Sequence, residues 1–196
     1  MIEILDIIAT FAFALVGARI AADRQMDYGG ILLIATVASL TGGSLRNVFL
    51  GERPIWLQEP WYFLSILVAV GLTIALRITK PVGKFVLALD TLGLAVATVS
   101  GVEYSLNQNA PSYAALILGV LTAVAGGLIR DVLCRVEPIL LHRETIGTAC
   151  TIGALAYVFL EPTSLPNELV ALISGSFIVL VRSISINQGW NLPKVK

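Results

Sequence analysis

The stretches "GGSLRNVFLGERPIWL" (42–57) and "GGLIRDVLCRVEPILL" (126–141) read as one segment written twice along the chain. Gly42 and Gly43 meet Gly126 and Gly127, Arg46 meets Arg130, Asn47 meets Asp131, and Pro54 meets Pro138. The same offset extends without a gap to "LD" at 5–6 and 89–90, and to Gly17 and Gly101. Leucines coincide by chance in any apolar chain; Asp, Gly-Gly, Arg and Pro in one register do not. The surroundings of the segment make it stranger. Of 196 residues, 57% are hydrophobic and 13% charged, against roughly 45–50% and about 25% in a soluble domain. Arginine inside such a run is costly in lipid unless it has a partner or an aqueous cavity.

Working outward, seven apolar stretches approach the ~20 residues that a spanning helix needs. They are roughly 4–22, 29–49, 61–79, 85–104, 112–133, 144–160 and 167–187, with short polar or proline-bearing pieces between them. Backbone groups in lipid must be satisfied within the segment, so these read as helices rather than strands. The expected fold class is an all-α membrane protein with a single transmembrane domain over 1–196. Repeat 1 covers about 1–80, repeat 2 about 85–160 and helix 7 about 167–187. Three helices per repeat is an odd number, so the second repeat enters from the opposite side. Inverted repeats of this kind place their pathway at the repeat interface.

Lysine and arginine orient the chain. The side holding the C-terminus collects Arg19, Arg24, Arg77, Lys80, Lys84, Arg130, Arg135, Arg143, Arg182, Lys194 and Lys196, whereas the other side has Arg46 and Arg53. The expected topology is N-out and C-in. The N-terminus "MIEILD" is acidic, unlike the basic start of a signal peptide, so the first stretch is expected to remain as a helix. Glu3, Asp6, Glu52, Glu59, Glu103, Glu161 and Glu168 fall at outer ends. They would favour cations there, or they gather where basic residues are absent. Charges balance to zero, so no basic field points to nucleic acid. Cys134 and Cys150 lack metal-ligand spacing, and His142 is the lone histidine, beside Arg143. No catalytic or metal constellation appears, so an enzyme and a cofactor are not expected.

Glycine bends helices cheaply, and glycine pairs are kink sites. A kink at Gly42–Gly43 and at Gly126–Gly127 would free carbonyls for a transient cation and would need a watery surround. Thr36, Ser39, Thr41, Ser44 and Thr122 are candidates to line it. The alternative is close helix packing through small residues. Each repeat also sets an acid and a base at the same spacing, which predicts the pairs Asp6–Arg46 and Asp90–Arg130. The alternative there is arginines snorkelling to the interface, the reading adopted for Arg19, Arg77 and Arg182. If Asn47 and Asp131 both line the pathway, the inner half carries a charge that the outer half lacks. Gly93, Ala97 and Gly101, with Ala171 and Gly175, have small-xxx-small spacing suited to helix or subunit contacts. Trp56, Trp61 and Tyr62 read as interface anchors.

Seven helices, a three-plus-three duplication and GGxxR[ND] in helices 2 and 5 resemble the TRIC family, the trimeric intracellular cation channels, and most closely its prokaryotic branch. The resemblance covers about 1–187. It implies a homotrimer with a pore in each protomer, between the repeats, with helices 2 and 5 bent at their glycine pairs. It implies passive permeation of K⁺ and Na⁺ through a lipid bilayer, in a prokaryotic inner (plasma) membrane. The Lys-Glu-Val stretch of animal members, tied there to phosphoinositide binding, does not occur in this sequence. Some bacterial relatives are proposed to carry glycine, so a transporter of a small zwitterion stands as the alternative.

Overall fold

The structure is a computed structural model and describes residues 2–76, 83–136 and 146–188. Arg77, Lys80, Pro138, His142, Arg143, Lys194 and Lys196 lie outside those residues, as does the side chain of Lys84. Among the described residues, seven α-helices run in order: α1 (Ile2–Asp23), α2 (Tyr28–Phe49), α3 (Trp61–Ala75), α4 (Lys84–Asn107), α5 (Ser112–Leu133), α6 (Ile146–Leu160) and α7 (Asn167–Gln188). A 3-10 turn, Ile55–Leu57, lies between α2 and α3. Five helices, all but α3 and α6, are long and apolar enough to cross a membrane. A 22-residue helix such as α2 is about 33 Å long, against about 30 Å of hydrocarbon. The other two have 15 residues each, mostly apolar, and both adjoin stretches outside the described residues.

Local chemistry sets several ends. The Asp27 carboxylate accepts from the Gly30 N–H at 2.7 Å and starts α2. Past the end of α2, Gly51 takes φ 75°, a left-handed position that glycine holds without strain. Pro60 and Pro111 precede α3 and α5. The side-chain distribution is the reverse of a soluble domain's: Leu33, Phe63, Leu67, Phe159 and Leu172 are exposed, while Asp6, Arg46, Asp90, Arg130, Asp131 and Arg182 are buried. Lipid as the outer solvent permits the first and forces the second to find partners.

α1 packs on α2 and α3, and α4 packs on α5 and α6, so each repeat is a three-helix bundle. The bundles join through α1 against α4 and α2 against α5, and α7 lies on α4 and α6. Small residues set these approaches. Gly17 faces Ala35 and Ala38 on α2, and Gly101 faces Gly119 and Thr122 on α5, the equivalent three positions of the second repeat.

The α2–α5 crossing shows the inversion directly. Gly42 lies against the Thr122 carbonyl, and Gly126 lies against the Ala38 carbonyl. Thr122 and Ala38 are themselves equivalent positions, so the contact is reciprocal. Numbers rise along α2 as they fall along α5; the helices are antiparallel, and so are the repeats. Both helices stay helical through their glycine pairs, so no unwound turn frees carbonyls there, contrary to that part of the kink expectation. A methyl group at either position would strike a main-chain oxygen across the crossing, so glycine is needed to bring the two backbones together. The end of the bundle that holds the start of α1 is termed outer, and the opposite end inner.

Candidate functional site

Each repeat builds one charged cluster where its first helix starts and its second helix ends. At the outer end, Arg46 gives Asp6 two hydrogen bonds, Nη2 to Oδ2 at 2.9 Å and Nη1 to Oδ1 at 3.4 Å. Its Nε donates to Asn47 Oδ1 at 3.0 Å, and its guanidinium lies 4.1 Å from the Tyr104 ring centroid, a cation–π contact supplied by the other repeat. At the inner end, Arg130 Nη1 donates to Asp90 Oδ1 at 3.1 Å, and Nε donates to Asp131 Oδ1 at 2.8 Å. The pairing read from the repeat register is therefore present at both ends. Arg46 is 1% exposed, which leaves no room for snorkelling.

Helix α7 changes the balance. Arg182, read from the sequence as snorkelling, is 1% exposed. It reaches Asp90 Oδ2 at 3.4 Å and donates from Nε to Thr91 Oγ1 at 3.0 Å. It does not snorkel, because a carboxylate lies within reach inside the bundle. The inner cluster thus holds two acids and two bases. The charge that Asp131 adds relative to Asn47 is matched by Arg182, so the expected excess at the inner end is cancelled.

Two cavities adjoin these clusters. The outer one has a volume of about 40 Å³ and is lined by Asp6, Arg46, Ser39, Gly43, Ser44 and Thr122, together with Thr10, Phe13, Trp56 and Tyr62. The inner one, about 20 Å³, is lined by Asp90, Arg130, Asp131 and Gly127, with Phe13, Leu94, Ala123, Leu128 and Ile146. Each glycine pair therefore divides its work: Gly42 and Gly126 make the crossing, while Gly43 and Gly127 open onto the cavities. Thr41 is not in the outer wall, and its hydroxyl donates to the Val37 carbonyl. Asn47 lies behind Arg46, where its amide nitrogen donates to the Arg53 carbonyl at 2.9 Å and holds the loop that follows α2.

The hydroxyls of the outer wall share one property. Thr10 donates to the Asp6 carbonyl, Ser39 to Ala35, Ser44 to Leu40 and Thr122 to Leu118, at 2.6–2.8 Å. A carbonyl only accepts, so each hydroxyl proton is committed to the helix and the cavity meets oxygen lone pairs. The Trp56 N–H is committed as well, to Ser44 Oγ at 2.9 Å. Tyr62 differs: its buried hydroxyl has no partner among the described residues. The sequence reading placed Trp56 and Tyr62 at the membrane interface; instead the 3-10 turn and the start of α3 turn them over the cavity. Trp61, 60% exposed, is placed as an anchor would be. Phe13, which lines both cavities, carries no motif that would single it out in the sequence.

A bilayer-type exterior, two inverted three-helix bundles and paired charged clusters around small polar cavities define an inverted-repeat integral membrane protein. A family model described as "Glycine transporter" matches residues 3–77 and 87–162, one stretch for each repeat. The UPF0126 inner membrane protein YadS of Escherichia coli K12 is 35% identical over 193 residues, covering 96% of this chain and 93% of that protein. A UPF0126 membrane protein of Vibrio cholerae is 34% identical over 197 residues, covering 98% of this chain and 82% of that one. The TRIC trimeric intracellular cation channel orthologue from Rhodobacter sphaeroides superposes with a TM-score of 0.90 at 34% identity, over 96% of this chain and 98% of that one. The chain belongs to this family, the prokaryotic branch of the TRIC proteins.

Proposed function

We propose that the chain is a monovalent-cation channel, with a path between the two repeats through the outer and inner cavities. One observation carries the reading: the hydroxyls whose protons are bound to helix carbonyls turn only lone pairs toward the outer cavity. Such a wall replaces part of an ion's water shell. About 40 Å³ holds roughly three waters, a volume suited to a partly hydrated K⁺ or Na⁺. Asp6 adds negative charge, and Arg46 at 2.9 Å neutralises most of it, so binding stays weak enough for the ion to leave. Relatives named as cation channels support the same class. The reading includes the N-out, C-in orientation, an inner-membrane location and assembly as a homotrimer. An apolar groove of about 690 Å³, lined by residues of α1, α4 and α7 such as Leu92, Val96 and Leu172, offers a face for subunit contact.

A second reading, transport of a small zwitterion such as glycine, has its own support. The family model carries that description, and the Tyr62 hydroxyl proton has no partner among the described residues. A carboxylate needs such donors, and Asp6 would meet an ammonium. Reconstitution in liposomes separates the two. A K⁺ conductance that follows the ion gradient, with no saturable uptake of labelled glycine, is expected; saturable glycine uptake without K⁺ conductance would reject the channel.

A further inference from the structure

The duplication allows a position-by-position comparison of the two cavities. Thr10 of the outer wall corresponds to Leu94 of the inner wall, and Ser39 corresponds to Ala123. Ser44 corresponds to Leu128, and Tyr62 to Ile146. At all four positions the outer residue bears a hydroxyl and the inner one bears only carbon. The inner cavity is also the smaller, about 20 Å³, roughly one water by volume. Its charged groups do not compensate for the missing hydroxyls: Arg130 binds Asp90 and Asp131, and Arg182 binds Asp90.

We propose that the inner wall formed by Leu94, Leu128 and Ile146, with Phe13 between the cavities, is the hydration barrier that limits permeation. The outer cavity is then where the ion rests. The inference rests on the channel reading and adds to it the half of the path that sets the rate. An ion moving inward from the outer wall loses the hydroxyl contacts and meets only carbon at the equivalent positions, while the Asp90 and Asp131 carboxylates of the inner wall are already engaged by Arg130 and Arg182. Apolar surfaces in a space this small hold water poorly, and apolar constrictions obstruct ions by excluding water. Phe13 extends that surface into the outer half: its ring packs 3.1 Å from where a Cβ on Gly93 would stand, so the ring is braced against α4.

The test gives the inner wall the outer wall's chemistry. Leu128→Ser and Leu94→Thr each install the residue found at the equivalent outer position, and Leu128→Ala removes bulk without adding a hydroxyl. K⁺ flux is measured in liposomes at matched protein content. Leu128→Ser is expected to raise flux about fivefold, the factor that one net hydrogen bond makes in a barrier. Leu94→Thr should act in the same direction, and Leu128→Ala should fall well short of Leu128→Ser. Should Leu128→Ser fail to reconstitute, Leu94→Thr decides the matter. If Leu128→Ala raises flux as much as Leu128→Ser, the barrier is steric and the inference is wrong. Wild-type flux that neither polar variant raises overturns this inference and leaves the channel reading intact. Saturable glycine uptake with no K⁺ flux in any variant overturns both.

Discussion

At the residue scale, the buried charges are arranged so that each repeat's cluster is neutral by a different route. The outer end reaches balance with Asn47, and the inner end needs Arg182 because its counterpart of Asn47 is Asp131. Removing one member of a buried ionic set leaves the others uncompensated, at a cost of about 3–5 kcal/mol. Arg182→Ala should therefore lower thermal stability in detergent strongly. Adding Asp131→Asn, which makes the inner cluster resemble the outer, should recover a large part of the loss. A double variant no more stable than Arg182→Ala alone would mean that Arg182 does not balance Asp131. The Asp6–Arg46 and Asp90–Arg130 pairs were legible in the sequence because the repeat supplied a second copy at the same spacing. Arg182 was not legible: α7 lies outside the duplication, so no register pointed from it to Asp90, and an arginine near a helix end looks the same whether it turns outward or inward.

At the element scale, the decisive contact is the antiparallel crossing of α2 and α5. The two glycines of each pair make different demands. A Cβ at Gly42 would collide with the Thr122 carbonyl, whereas one at Gly43 would stand 4.0 Å from a guanidinium nitrogen of Arg46, an ordinary contact. Gly42→Ala should thus force the helices apart and destabilise the fold by about 1–3 kcal/mol. Gly43→Ala should leave stability nearly unchanged, even though it sits beside the cavity. Equal melting-temperature losses in the two variants would contradict the crossing. Sequence alone named both glycines as kink sites, since a Gly-Gly pair suits a bend and a close approach equally. What separates them is a carbonyl on α5, in the other repeat, which meets Gly42 only once the helices are packed. The serines and threonines around the pair were legible as polar, but their direction was not. Ser39 and Ser44 reach the cavity while Thr41, on another side of the same helix, does not.

At the scale of the whole molecule, a symmetric scaffold carries two unlike cavities. The lengths of the apolar stretches and the constant offset between the repeats were enough to read seven helices and an inverted duplication. The cavities were not readable, because their walls draw on several helices and on the 3-10 turn. Tyr62 and Trp56 looked like interface anchors since aromatic residues beside a span usually are; here the 3-10 turn and the start of α3 set them against the outer cavity. In the proposed channel, ions cross through the outer cavity of each protomer. Ser44→Cys places a thiol in that wall, and the native Cys134 and Cys150 are buried, so wild-type protein serves as the control. Modification of Ser44→Cys with a positively charged thiosulfonate in liposomes should reduce K⁺ flux to the level of protein-free liposomes while wild-type flux is unaffected. Stoichiometric modification with flux unchanged would place the ion path elsewhere and contradict the account.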